Sequence, residues 1–177
     1  MKILTIADKK ENKLLRQKTK PFDFSKFKKK EILELIKKMR KIMVEANGIG
    51  LAANQLGLDY RLFVAQIQGV SRSGEPRAQT QTDRKFYAIF NPKVTKVSEA
   101  KEEGEEGCLS VPRDLYGIVK RHQKLTLEGQ DQNGRKIKIK ARGLLARIFQ
   151  HEVDHLEGKL FIDRTKEVYK VKKEAEK

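Results

Sequence analysis

Apolar residues return at intervals of three and four across residues 30–47: Ile32, Leu35, Ile36, Met39, Ile42 and Met43, with lysines on the opposite side. That period predicts an amphipathic helix whose stripe faces a core. Asn47-Gly48 supplies its stop. A second helical pattern, Leu144, Leu145, Ile148 and Phe149, runs from Gly143 towards Gly158. Elsewhere the period is two. Residues 61–65, 86–90 and 94–97 are rich in aliphatic and aromatic side chains and read as strands, with Asn91-Pro92 as a turn between the last two. Residues 118–121 and 124–128 alternate like half-buried strands, and Asp131-Gln132-Asn133-Gly134 predicts a hairpin turn into residues 136–140. Residues 3–17 read as an extended piece and a turn. Residues 68–85 are polar, with Gly69, Gly74 and Pro76, and read as an exposed, mobile loop. Residues 166–177 read as a basic C-terminal helix or a solvated tail. Runs of strands with two long helices predict an α+β fold, antiparallel sheets packed around the second helix.

Length and charge narrow this picture. At 177 residues the chain is long enough to bury one core as a single domain. It carries 40 Lys and Arg against 24 Asp and Glu, a net charge of +16. Such a balance favours polyanions, whether nucleic acid, ribosomes or acidic membrane surfaces, and is silent on fold. No nucleic-acid-binding motif accompanies it. A single cysteine, Cys108, excludes an internal disulfide and fits a reducing compartment. The N-terminus has no signal-peptide pattern, and no apolar run reaches membrane-spanning length, so a cytoplasmic protein with no membrane partner is expected.

The candidate chemistry lies in the second helix. His151 and His155 are four residues apart in His151-Glu152-Val153-Asp154-His155-Leu156-Glu157-Gly158. On a helix this puts two imidazoles on one face, suited to a single metal ion, with Glu152 beside it to take a proton from a water. His122, the third histidine, reads as a surface residue. A third ligand is needed. Phe161 stands where one group of zinc proteases places a further histidine, and Glu174 lies in a charged tail that is ordinarily solvated. Cys108 remains, since a thiolate binds zinc or ferrous iron well and three protein ligands leave a position open. A lone cysteine is otherwise a small buried hydrophobe. Gly48 and Gly50 permit close backbone approach, but no Gly-Lys-Ser/Thr follows, as a phosphate loop requires. Gln55 carries an amide donor of the kind that stabilises an oxyanion.

Three stretches taken together, Gly48-Ile49-Gly50-Leu51-Ala52-Ala53-Asn54-Gln55, Glu106-Gly107-Cys108-Leu109-Ser110 and His151 to Gly158, resemble the signature motifs of the peptide deformylase family, in order and at compatible separations. The resemblance runs from about Ile3 to Arg164. It implies an α+β catalytic domain over residues 1–165, followed by a basic segment over 166–177 that docks on the ribosome in some members. It implies that Cys108, His151 and His155 hold one divalent ion, Fe2+ in the cell and Zn2+, Ni2+ or Co2+ in purified protein. The substrate implied is the N-formyl-methionine end of a nascent peptide, cleaved to formate and a free amine, and the enzyme is expected to be a monomer. Glu152 would move the proton; Gln55 and the Leu109 N–H would hold the oxyanion. Gly48, Gly50 and Glu106 would meet the substrate, Ile49 and Ile148 would line the methionine pocket, and Arg121 would touch the peptide further along. Arg113 stands where glycine is more usual in the family, which bears on the rim of the cleft. The rival enzyme, a general zinc endopeptidase, is disfavoured by Phe161 and the Cys108 motif. A basic RNA- or ribosome-binding protein without catalysis is disfavoured by the intact Glu152, Gln55 and ligand trio.

Overall fold

The computed structural model describes residues 1–68 and 84–171. Near the N-terminus, α1 (Lys9–Leu15) stands where the sequence predicts an extended piece and a turn. Asp8 caps it, accepting from the Lys10 and Glu11 N–H groups, and Glu11 in turn accepts from the Thr5 N–H at 2.8 Å. Only Leu15 is buried, so the helix has almost no apolar period to read; its cap decides. α2 (Lys29–Glu45) matches its stripe, burying Ile32, Ile36, Met39 and Met43. It ends in a Schellman motif. Asn47 takes the left-handed conformation at φ 57°, its N–H donates to Val44 O, and the Gly48 N–H donates to Met43 O at 2.8 Å.

The strands are β1 (Gly50–Ala52), β2 (Leu62–Gln68), β3 (Arg84–Val97), β4 (Lys101–Glu106), β5 (Leu115–His122), β6 (Lys124–Gln130), β7 (Lys136–Arg142) and β8 (Val168–Lys170). Two antiparallel sheets form, one in the order β1-β2-β3-β6-β7 and one in the order β4-β5-β8. Four expectations are corrected here. β3 runs straight through Asn91-Pro92, because a bulge absorbs the proline. Asn91 sits at φ 49°, the pairing shifts between Phe90 and Lys93, and the Asn91 amide bonds both the N–H and the C=O of Phe22. β4, read only as an acidic lead-in, is a strand because β5 offers it partners, with Glu102 opposite Arg121 and Glu103 opposite Lys120. Of the loop expected over 68–85, Gln68, Arg84 and Lys85 belong to strands, and the remainder lies outside the described residues. At the C-terminus, 168–170 form strand β8 on β5 rather than helix. Residues 172–177 lie outside the described part.

The large sheet is sandwiched. Alternate residues of β2 divide between its faces: Phe63 and Ala65 meet α3 (Gly143–Leu156), whereas Leu62 and Val64 meet α2. α3 buries Ala146, Ile148, Phe149 and Leu156 against the sheet, which leaves its other side turned to the small sheet and Cys108. The helix stops at Gly158, φ 72°, where a Cβ would stand 2.3 Å from the Arg16 carbonyl oxygen.

Candidate metal centre and cleft

α3 presents His151 and His155 one turn apart, and the chain leaving β4 brings Cys108 to them. The Cys108 Sγ lies 3.2 Å from His155 Nε2, which is 3.2 Å from His151 Nε2. All three donor atoms fall within 4.8 Å of one another. A tetrahedral zinc-like centre with these ligands has donor–donor edges of roughly 3.3–3.6 Å, so the cluster fits one ion. One further atom supports the fit: Glu152 Oε2 is buried without a hydrogen-bond partner among the described residues. Glu152 is 3% exposed and faces Gly50, where a Cβ would lie 2.1 Å from its Oε1. Only glycine lets β1 pass so close to this carboxylate.

The two histidines differ in charge when no cation is bound. Burial lowers the basicity of His151, but hydrogen bonds with Cys108 and Glu106 outweigh it and hold the ring protonated. Burial and the neighbouring His151 charge keep His155 neutral, well below its ordinary value. The proton on His151 sits where a metal cation would replace it. Burial pushes Glu152 up to about 7, with His151 opposing, which suits a group that must gain and lose a proton near neutrality.

Behind the ligands lies an ionic layer that the motifs name only in part. Glu106 accepts from His151 Nδ1 at 2.9 Å, from Arg121 through both oxygens at 2.9 and 3.0 Å, and from Arg147 at 3.0 Å. Arg121 also reaches Asp154 at 2.6 Å, and Arg164 Nε reaches the same carboxylate at 2.9 Å. Arg121, expected at the substrate, is 5% exposed, is paired on both sides and does not line the cleft. Glu106 does reach the cleft wall, but both oxygens are engaged, so it orients His151. Arg147 and Arg164 have no short-range signature and are recognisable only from the folded arrangement. Asp154, inside the histidine motif, was the one accessible clue. His122, expected at the surface, is half-buried with Nδ1 2.5 Å from Ser98 O.

A cleft of 430 Å³ opens over the cluster. Gly48, Ile49, Gly50, Gln55, Cys108, Leu109, Ile148, His151 and Glu152 all line it, as does Arg113 at its rim; His155 lies beneath, 1% exposed. Gln55 is fixed by its surroundings. Its Oε1 accepts the Ala52 N–H at 2.9 Å, which directs Nε2 to Ser110 Oγ at 3.0 Å and towards Cys108 Sγ at 3.6 Å. The Ser110 N–H also approaches that sulfur, at 3.4 Å.

One thiol and two imidazoles gather beside a buried carboxylate on an α+β frame, a candidate site for a metal ion. The family model described as polypeptide deformylase matches residues 1–171. A peptide deformylase of Thermus thermophilus is 42% identical over 153 residues, covering 85% of this chain and 77% of its own. That of Roseiflexus castenholzii is 37% identical over 176 residues, 98% of this chain and 93% of its own. Among solved structures, a probable peptide deformylase from Synechococcus phage S-SSM7 superposes with a TM-score of 0.77 at 39% identity, over 93% of this chain and 99% of that one. The Acinetobacter baumannii peptide deformylase solved with Met-Ala-Ser bound gives 0.78 at 27% identity, over 93% and 98%. The chain belongs to the polypeptide deformylase family, hydrolases that remove the N-formyl group from nascent polypeptides.

Proposed function

We propose that Cys108, His151 and His155 hold one divalent metal ion, and that the cleft presents the formyl end of a formyl-methionyl chain beside it. One observation carries this reading: the S/N/N cluster, the unpartnered Glu152 Oε2 and the Gln55 amide converge at one end of the cleft. Bound there, the cation supplies Lewis acidity, acidifying a water and polarising the formyl carbonyl. A thiolate with two imidazoles accepts Fe2+, Zn2+, Ni2+ or Co2+, and the resemblance to the family implies Fe2+ as the cellular metal with the others as substitutes in purified protein. A thiol ligand also favours a compartment that keeps thiols reduced, the cytoplasm.

The chain's own residues do the rest. Glu152 accepts a proton from the attacking water and hands it to the nitrogen as the C–N bond breaks, leaving formate and a free amine. Gln55 Nε2 and the Leu109 N–H donate to the oxygen that gains negative charge. Gly48 and Gly50 let the peptide backbone approach closely, and Ile49 and Ile148 receive the methionine side chain. The Met-Ala-Ser peptide bound by the Acinetobacter relative has the sequence such a product would have. The test is formate release from formyl-Met-Ala-Ser by metal-loaded protein, with Glu152→Gln as control. The reading expects release by the wild type and a loss of roughly 10²–10⁴-fold in the variant at equal metal content. Equal rates in the two proteins would remove Glu152 from this role.

A further inference from the structure

Two charged residues stand exposed on the lining of the cleft, Glu105 and Arg113. The other charges there are buried and engaged. Glu106 holds both His151 and Arg147, at 2.9 and 3.0 Å, and Arg147 donates as well to the carbonyl oxygens of Val119 and Glu102, at 2.8 and 3.0 Å. Glu105 accepts from the Tyr169 hydroxyl on the small sheet. Arg113 has neither an acidic nor a hydrogen-bonding partner among the described residues. Its neighbour Asp114 does not line the cleft, and that carboxylate lies 3.9 Å from Lys170 Nζ. The lips of the cleft are otherwise apolar, with Ile49 50% and Leu144 59% exposed, so among the described residues no second exposed cation shares the lining.

An exposed arginine is ordinarily a solvated surface residue. The backbone under Arg113 distinguishes it. The Leu115 N–H donates to Pro112 O at 2.9 Å, which puts Arg113 at the second position of a closed turn. That turn is tied down on every side. Val111 before it is 2% exposed in a core cluster that Leu115 joins, and the Val171 N–H donates to Asp114 O at 2.8 Å. A preceding turn is closed by the Val111 N–H on Cys108 O at 3.1 Å, and the Ile6 N–H holds Ser110 O at 2.9 Å. The guanidinium is therefore carried by a backbone with little order left to lose when a ligand binds. The two turns also keep the Arg113 Cα within about 15 Å of the Cys108 Cα. An extended peptide advances about 3.4 Å per residue, so a chain whose formyl end lies at Cys108 has its next residues within a long side chain's reach of this rim.

We propose that Arg113 sets a preference among substrates, favouring an acidic side chain in one of the two residues that follow the formyl-methionine. The contact is an ion pair at the mouth of the cleft, and the proposal rests on the cleft reading given above. A rim charge of this kind discriminates by attracting one substrate and repelling another. Glutamate should therefore be favoured and lysine disfavoured at the same place.

The test uses metal-loaded full-length protein. Values of kcat/KM are compared for formyl-Met-Glu-Ser against formyl-Met-Lys-Ser, and for formyl-Met-Ala-Glu against formyl-Met-Ala-Lys. The wild type is expected to favour glutamate by about three- to tenfold in at least one pair at about 20 mM salt, and by less than about twofold at about 0.5 M. Arg113→Gln should bring the ratio close to one and Arg113→Glu should invert it. Lys136→Gln on β7, which removes the same charge away from the cleft, should keep it. Calorimetric binding of the unformylated peptides Met-Glu-Ser, Met-Lys-Ser, Met-Ala-Glu and Met-Ala-Lys gives a second readout that needs no turnover, and the same ratios are expected there. Equal kcat/KM within both pairs, a preference for glutamate that survives Arg113→Gln, or a preference for lysine, which would put Glu105 rather than Arg113 at the contact, would each overturn the proposal. Should no formyl peptide be hydrolysed, the cleft reading fails on its own, and the binding ratios still decide Arg113: equal affinities, or no binding of any peptide, would overturn its role.

Discussion

Gln55 and Arg121 illustrate how contacts decide roles that residue type leaves open. Gln55 is held at its carbonyl end by the Ala52 N–H, so its donor end cannot turn away from the sulfur. Gln55→Ala should lower kcat by about 10²–10³ with metal still bound, measured by steady-state formate release and metal content. Arg121 sits between Glu106 and Asp154, and removing it leaves buried carboxylates uncompensated. Arg121→Ala should destabilise the protein by about 3–5 kcal/mol, read as a lowered midpoint in denaturant, with the KM of the surviving folded enzyme unchanged. A raised KM at intact stability would return Arg121 to the substrate. Glu106 adds a pH effect. Burial raises its carboxyl, but hydrogen bonds from His151 and Arg121 prevail and hold it at about 2, against an ordinary 4.5. A depressed carboxylate contributes stability that is complete above its unfolded value and lost as pH falls through its folded one. The metal-free protein should therefore lose stability between about pH 4.5 and 2, and Glu106→Gln should flatten that part of an acid titration.

At the scale of elements, the approach of β1 to α3 is the contact on which the site depends. Gly50→Ala would drive a methyl into Glu152 Oε1. The expected result is a native circular dichroism spectrum with kcat reduced at least about tenfold, because the carboxylate and not the strand must yield. Legibility of the elements followed the balance between local pattern and tertiary context. α2 and α3 were readable because each buries a continuous apolar stripe and ends in a left-handed residue, Asn47 or Gly158. α1 was missed because a cap, not a stripe, holds it, although Asp8 and Glu11 at a capping-box spacing were there to be seen. β4 and β8 were missed for a different reason. Neither has an apolar alternation of its own, and both are strands because β5 lies between them with unpaired backbone groups on each side. The bulge at Asn91 likewise depends on Phe22, far away in sequence.

For the whole molecule, the metal ligands were legible because their chemistry is carried by short motifs at fixed spacing, whereas the ionic layer behind them is assembled from β4, β5, α3 and the segment after it. The charge of +16 was equally plain, but only the strand register shows where part of it gathers. The central claim is that one thiol and two imidazoles, brought together from separate elements, form a single metal centre. X-ray absorption at the metal edge of the reconstituted protein tests it most directly. The account predicts one sulfur scatterer at about 2.3 Å and two imidazole nitrogens at about 2.0–2.1 Å for zinc-loaded protein. Cys108→Ser should remove the sulfur contribution. A first shell of nitrogen and oxygen alone in the wild type would contradict the account.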